Sequence, residues 1–260
     1  MLLTILFLIV AGFFAGLLAT IAGLASIVSY PALLIVGIPP VVANVSNTVA
    51  LISTGLGAIP ASMRELKGQW HRVMGYTILA VIGSFIGSSL LLIAPASTFE
   101  KVVPFFILSA GILLIISGRG TESNVGTKLK RDGRNPHKEL IIKLISYFGI
   151  VFVGGYLGYF GAAGGVVLLA ILGVITHEGF AEYNAVKNFM CCICNVAAML
   201  LFIFKATIDW AAVVPLGIGL LIGGYTGPLI VRHVNVKMLR MLIAIASFVL
   251  AGYLGYKAYL

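Results

Sequence analysis

The sequence predicts an all-α protein that crosses a lipid bilayer several times, and three observations support this fold class. Of its 260 residues, 60% are hydrophobic and only 10% are charged, whereas a soluble domain carries about 25% charged residues. Apolar runs recur along the whole chain, and a membrane-spanning helix needs about 20 such residues. The connections between these runs leave no room for a soluble catalytic domain. We therefore expect a polytopic membrane protein that is not an enzyme and uses no cofactor or metal.

The apolar runs form two groups of five on either side of a polar, basic stretch. They predict a transmembrane repeat in residues 1–118, a basic linker at 119–139 and a second repeat in 140–260. The chain opens as MLLTILFLIV with no basic residue, so we expect a membrane helix there rather than a signal peptide. The runs lie at about 2–21, 25–38, 42–62, 73–94 and 99–117, and then at about 140–159, 163–176, 184–204, 210–231 and 238–258.

A constant offset of 140 residues relates the two groups and indicates an internal duplication. Both tryptophans of the chain match at this offset. The matching glycines also have a purely structural explanation, since small residues four apart let membrane helices approach closely. The pairs are Trp70 with Trp210, Gly83 with Gly223, Gly87 with Gly227, Asn44 with Asn184, and Asn47 with Lys187.

The positive charges indicate that the two repeats cross the membrane in opposite directions. The net charge is +9, and 13 of the 17 lysine and arginine residues lie at 64–72, 119–143 and 232–240. The first of these loops follows the third run of its repeat, whereas the last follows the fourth. An inverted repeat puts all three on one face, which the positive-inside rule makes the cytoplasmic face of an inner or plasma membrane. Both termini are then outside, and we expect no binding to nucleic acid.

The second run of each repeat is short and follows a cluster of small residues, so we expect broken helical hairpins at 2–38 and 140–176. The clusters are AGLAS (22–26) and GAAGG (161–165). The hairpins either cross the membrane or enter it and return, which gives eight to ten membrane helices. Inverted repeats with broken helices are typical of secondary transporters. The free N–H groups where the half-helices begin, near Ser26 and Gly165, attract anions.

A polar stripe interrupts the apolar stretch YNAVKNFMCCICNVAAMLLFIF (183–204). Asn184, Lys187, Asn188, Cys191 and Asn195 share one helical face, which should point to the bundle interior. A charged side chain in mid-membrane costs about 3 kcal/mol on translocon scales. Lys187 therefore either extends to the membrane surface or serves an anionic solute.

These features give a set of candidate ligands for a small anion at the centre of the protein. The equivalent segment of the first repeat carries Asn44, Asn47 and Thr48 on the corresponding helical face. Their side chains either donate hydrogen bonds to the anion or join neighbouring helices. The three cysteines at 191, 192 and 194 fit helix packing, with a thiol-dependent intramembrane enzyme as the alternative. The candidate substrate-binding residues are Ser26, Asn44, Asn47, Thr48, Gly164, Gly165, Asn184, Lys187, Asn188 and Asn195.

Several short motifs occur in a fixed order along the chain. The first repeat contains GIPPVVANVSNTVAL (37–51), and the second contains YFGAAGGVVLL (159–169), YNAVK (183–187) and IDW (208–210). Taken in this order, they resemble the TauE/SafE family, also called the toluene sulfonate uptake permease family. The resemblance covers nearly the whole chain. Two departures bear on substrate choice: Ser46 stands where the family more often has threonine, and residues 21–31 lack its run of glycines.

The resemblance implies a secondary active transporter of small sulfur-containing anions, such as sulfite or sulfonates, that works by alternating access. It also implies that Asn44, Asn47, Asn184 and Lys187 line the substrate path. A passive anion channel is the alternative. The expected partners are the small anion and membrane lipid. Coupled protons are left open, because no carboxylate lies in mid-span, and so is a homodimer.

Overall fold

The computed structural model describes residues 2–119, 136–161, 164–176 and 179–230, together with 245, 248–249, 251–253 and 255–256. These residues form helices and connecting turns without any strand, so the all-α prediction is confirmed for them. The helices are α1 (Leu2–Ala22), α2 (Ser26–Ile35), α3 (Pro40–Ala61), α4 (Met63–Leu66), α5 (Trp70–Ile93), α6 (Ala96–Arg119), α7 (Pro136–Tyr159), α8 (Gly164–Ile175), α9 (Phe180–Lys205) and α10 (Trp210–Ile230).

Five of the helices within these ranges are long and apolar enough to cross a membrane, namely α1, α3, α5, α9 and α10. This confirms a polytopic protein. The second helix of each half is shorter, with 10 residues in α2 and 12 in α8. The outer face of α1 carries the exposed side chains Leu6, Val10 and Phe14, as expected for a surface in contact with lipid acyl chains.

The helices extend further into the predicted linker than the apolar runs indicated. Arg119 is the last residue of α6, and Pro136 is the first residue of α7. Proline fits this position because the first turn of a helix has no intrahelical partner for its N–H. Most of the predicted linker, residues 120–135, lies outside the described residues, as does most of the run predicted at 238–258.

The predicted breaks lie where the first helix of each half ends. Gly23 follows the last residue of α1 and has φ of +74°, and Gly161 follows the end of α7 with the same value. Glycine adopts this left-handed backbone without the Cβ clash that other residues meet, so the chain can leave one helix and begin the next within a few residues. The half-helices begin at Ser26 and Gly164.

The glycines that match between the repeats lie where two helices touch backbone to backbone. α1 packs against α10, and α7 packs against α5. A Cβ at Gly223 would meet the carbonyl oxygen of Phe13, and one at Gly83 would meet that of Val151. The packing explanation for these small residues therefore holds, and the first helix of each predicted repeat packs against a helix of the other predicted repeat.

The equivalent helices α3 and α9 pass each other in opposite directions. They cross where Gly55 meets the side chain of Cys192. Ser46, near the start of α3, accepts a hydrogen bond from the backbone N–H of Asp209, just beyond the end of α9 (2.9 Å). The ring of Trp70, two connections after α3, lies 5.5 Å from that of Phe189 in the first half of α9. Opposite directions are what an inverted repeat requires of its equivalent helices; the inverted repeat itself and the membrane face of each helix end stay predictions.

Candidate functional site

A cavity of about 50 Å³ lies where α3 and α9 cross the two helix breaks. A single water needs roughly 10–15 Å³, so the cavity has room for a small solute. Of the ten candidate residues, Ser26, Thr48, Gly165, Lys187, Asn188 and Asn195 line its wall. The other four, Asn44, Asn47, Gly164 and Asn184, are buried next to the breaks but do not form the wall.

The two breaks meet at this cavity. A Cβ built on Gly165 would lie 2.6 Å from the Cα of Gly23, and one built on Gly23 would lie 2.6 Å from the Cα of Gly165. Only glycine at both positions permits this approach. As a result, the beginnings of α2 and α8, whose first N–H groups have no partner within their own helix, lie close together beside the cavity.

Lys187 is buried, with 1% of its surface exposed, and its side chain does not extend to the membrane surface. Its Nζ donates to the carbonyl oxygen of Ala19 at 2.7 Å and to that of Thr20 at 3.4 Å. Both carbonyls belong to the last turn of α1, the negative end of the helix dipole. An ammonium has three N–H donors, and within the described residues two of them are used. Because Lys187 also lines the cavity, the third is available to a ligand.

The asparagines outside the wall form hydrogen bonds to the breaks, and two of these bonds join the two halves of the chain. Asn184 donates through Nδ2 to the carbonyl oxygen of Thr20 at the end of α1 (2.9 Å). Its repeat partner Asn44 donates to that of Tyr159 at the end of α7 (2.9 Å). Asn47 donates to the Oγ of Ser26, within its own repeat (3.1 Å). These bonds position the breaks that form the cavity. Among the candidates, Lys187 is the charged residue that both bonds to a break and lies on the cavity wall.

Two side chains on the wall have a buried polar atom without a hydrogen-bond partner among the described residues. They are Asn188, through Nδ2, and Thr54, through Oγ1. Thr48, by contrast, donates to the carbonyl oxygen of Asn44 in its own helix (3.0 Å). An unpaired buried donor costs about 1–3 kcal/mol, so these two are well placed to bind a ligand that accepts hydrogen bonds.

Thr54 was missed by the sequence reasoning, which followed the polar stripe of the first repeat only as far as Leu51. Thr54 lies seven residues after Asn47, two helical turns along the same face. Continuing the stripe past the apolar residue could have found it. Gly161 and Phe160 at the second break also line the cavity and were not among the candidates.

The three cysteines differ in their position relative to the cavity. Cys191 and Cys192 line the cavity, whereas Cys194 does not, and its backbone carbonyl accepts a hydrogen bond from Ser84 (2.9 Å). All three are free thiols. The described ranges contain no group of three or more His, Cys, Asp or Glu side chains able to hold a metal ion.

Comparison with known proteins agrees with this architecture. The sequence model of the family described as "Sulfite exporter TauE/SafE" matches residues 8–254. A "Probable membrane transporter protein" of Haemophilus influenzae is 27% identical over 98% of this chain and 95% of its own length. Another from Sinorhizobium, ORF9, is 26% identical over 94% of this chain and 90% of its own. YfcA of Escherichia coli K12, also named a probable membrane transporter protein, is 23% identical over 94% and 87%. No solved structure matches the chain.

Proposed function

The chain belongs to the TauE/SafE family of membrane transporters, and from this premise we propose that it carries a small sulfur-containing oxyanion, sulfite or a small sulfonate, by secondary active transport. One observation carries the proposal: a buried ammonium and two unpaired donors surround one cavity at the meeting point of two helix breaks. The family's description supports the sulfur chemistry, and the relatives named as transporters support a carrier rather than an enzyme.

The wall of the cavity suits an anion. Lys187 brings a positive charge, while Asn188 and Thr54 bring donors that have no partner in the described protein. The described lining contains no aspartate or glutamate. Hydrogen bonds from charged donors to oxyanions are about twice as strong as neutral ones. Several moderate donors also allow release, since a carrier must not hold its substrate too tightly.

The size of the cavity favours a small oxyanion. A volume of about 50 Å³ suits an inorganic ion such as sulfite better than an aromatic sulfonate. Leu51, Leu157 and Phe160 are among the apolar residues of the wall. An apolar wall lowers the local dielectric constant, which strengthens the attraction between an anion and Lys187.

The packing supports alternating access by two inverted halves. α3 and α9 run in opposite directions, and the first helix of each half packs in the other half's bundle. The cavity extends along α3 towards Ala58, whereas Asn44 and Asn47 at the other side of the crossing are fully buried. In this arrangement one side of the site is closed by packed side chains, as a carrier requires. The proposed orientation has the basic loops in the cytoplasm and both termini outside.

Counterflow in proteoliposomes tests the carrier. Vesicles loaded with excess unlabelled sulfite should transiently accumulate labelled sulfite above equilibrium, which a passive channel cannot do. Lys187→Ala should abolish this accumulation and Lys187→Arg should retain part of it. Thr226→Ala is the control, because that hydroxyl bonds only to its own helix on an exposed face. Counterflow at the wild-type level by purified Lys187→Ala would contradict the role of Lys187. If the wild-type protein shows no counterflow with any small sulfur oxyanion, the proposed function is wrong.

A further inference from the structure

We propose that the thiol of Cys191 is a site of covalent modification by small S-sulfonate anions, R–S–SO₃⁻, which bind in the central cavity through their sulfonate group. The reaction attaches the R–S group to Cys191 and blocks the cavity, and sulfite reverses it. The proposal rests on the anion-binding part of the proposed function, because the sulfonate group binds to the same residues as the transported anion.

The thiol of Cys191 is open to the cavity, whereas the other two thiols are held by packing. Cys191 lines the cavity, is partly exposed and makes no hydrogen bond within the described residues. The Sγ of Cys192 approaches the carbonyl oxygen of Ile52 (3.9 Å), and its side chain fills the space beside Gly55. Cys194 is buried and does not line the cavity. Reaction at a thiol requires access, so Cys191 is the cysteine that a small molecule in the cavity meets.

Three donors for an anion surround this thiol. Lys187 lies four residues before Cys191 and Asn188 lies three before it, spacings that place side chains about 5–6 Å apart between Cβ atoms on one helical face. The Nδ2 of Asn188 and the Oγ1 of Thr54 have no partner in the described protein, although their side chains are only 6% and 7% exposed. All four residues line the cavity. A sulfonate group held by these donors therefore lies within one helical turn of the thiol.

An S-sulfonate has the reactivity that this arrangement selects. The thiol sulfur of Cys191 attacks the sulfur that carries R, so that a new S–S bond forms as the S–S bond to the sulfonate breaks. The electron pair of the broken bond leaves with the sulfonate as sulfite, which takes up the thiol proton and becomes hydrogen sulfite. Thiol–disulfide exchange follows the same course, and no other oxidant takes part. A cavity of about 50 Å³ limits R to a small group such as methyl.

The reaction is reversible because its leaving group is sulfite. Sulfite that enters the cavity attacks the mixed disulfide on Cys191, restores the thiol and releases the S-sulfonate. The extent of modification therefore follows the ratio of S-sulfonate to sulfite. An R–S group on Cys191 occupies the space beside Lys187 and Asn188, so the modified protein no longer binds the anion.

Two reagents that attach the same group separate attraction of the anion from simple access to the thiol. S-methyl thiosulfate is an anion and methyl methanethiosulfonate is neutral, yet both are small and both leave CH₃–S on a thiol. The variant that keeps only Cys191 is treated with each, and intact-protein mass spectrometry follows the labelling rate. The ratio of the anionic to the neutral rate reports the attraction of the cavity for the sulfonate group, because a change in access affects both reagents.

Variants in the same background locate the attraction. Lys187→Met should lower the rate ratio by about tenfold or more, the effect of losing a charged hydrogen bond. Thr54→Val should lower it by about fivefold, as for one neutral hydrogen bond, and it decides the question if Lys187→Met does not fold. Thr226→Ala is the control and should leave the ratio unchanged. A ratio that ignores both Lys187 and Thr54 would overturn the proposal.

The labelled protein tests the block and its reversal. Methanesulfonate should no longer raise the melting temperature after complete labelling, and binding at the unlabelled strength would overturn the block. Sulfite should then remove the label, whereas methanesulfonate should not, because its sulfur has no lone pair. A label that resists sulfite but yields to dithiothreitol would overturn the reversal. If the rate ratios fall as expected but the wild type shows no counterflow, the modification site stands and the transport function is wrong.

Discussion

The Nζ of Lys187 lies 2.7 Å from the carbonyl oxygen of Ala19, 168 residues earlier in the chain. Lys187, in the second half of the chain, thus bonds to the end of a broken helix in the first half and also lines the central cavity. Its two roles separate experimentally, because the bond to α1 affects stability in the absence of ligand, while attraction of an anion affects binding.

Lys187→Met should therefore reduce both stability and anion binding. A hydrogen bond to a charged group contributes about 1.5–3 kcal/mol, so we expect a clear decrease in melting temperature. Sulfite affinity should fall by more than a factor of about ten, since a loss of 1.4 kcal/mol already has that effect. Thermal unfolding and isothermal titration calorimetry measure the two effects. Lys205→Met, an exposed lysine at the end of the same helix, is the control. Sulfite binding of wild-type strength in Lys187→Met would refute the cationic site.

Thr54→Val tests the unpaired donors separately from stability. The hydroxyl of Thr54 has no partner in the described protein, so its removal should leave the melting temperature unchanged or slightly higher. Binding should weaken by a factor of about five, which corresponds to a hydrogen bond of about 1 kcal/mol. Thr77→Val is the matched control, because that hydroxyl bonds to Val73 in its own helix (2.6 Å). If Thr54→Val destabilises the protein and binds sulfite normally, the hydroxyl does not serve the substrate.

The breaks could be predicted from sequence because the small residues at 22–26 and 161–165 indicate by their type where helices end. The spacing of Lys187 with Asn184 and Asn188 placed it on a polar helical face but left open whether its side chain extends to the membrane surface; its burial is a finding of the structure. The partner of Lys187 could not be predicted. It is a backbone carbonyl, and every residue has one, so no residue type identifies Ala19. The same holds for the bond from Asn44 to Tyr159.

The close approach of the two breaks can be tested with a pair of glycine substitutions. Gly23→Ala introduces a Cβ into a left-handed residue and also 2.6 Å from the Cα of Gly165. Gly37→Ala introduces only the left-handed backbone strain, since Gly37 has φ of +90° and no atom lies within 4 Å of the added Cβ. The left-handed conformation costs a non-glycine residue about 1–2 kcal/mol.

Thermal unfolding should therefore show a moderate loss for Gly37→Ala and a much larger loss, or no folded protein, for Gly23→Ala. The difference between the two isolates the backbone contact. Equal losses would mean that the breaks do not touch when the protein is folded in a membrane or detergent.

The position of Cys191 allows occupancy of the cavity to be followed by thiol labelling. Cys191 lines the cavity and is partly exposed, whereas Cys194 is buried away from it. In a variant that keeps only Cys191, a small alkylating reagent should react more slowly when methanesulfonate is present; this sulfonate, unlike sulfite, does not consume the reagent. A variant that keeps only Cys194 should react slowly in both conditions. Unchanged labelling of Cys191 at a methanesulfonate concentration that raises the melting temperature would place the ligand elsewhere.

Replacing all three cysteines with alanine addresses the alternative of a thiol-dependent enzyme. The side chain of Cys192 fills the space beside Gly55 where α3 crosses α9, and large-to-small changes in a packed core are destabilising, so we expect a lower melting temperature. Counterflow of sulfite should nevertheless persist, because none of the three thiols supplies the charge or the unpaired donors of the cavity. Complete loss of counterflow in the triple variant, with Cys192→Ala still folded and active, would favour a chemical role for Cys191 or Cys194.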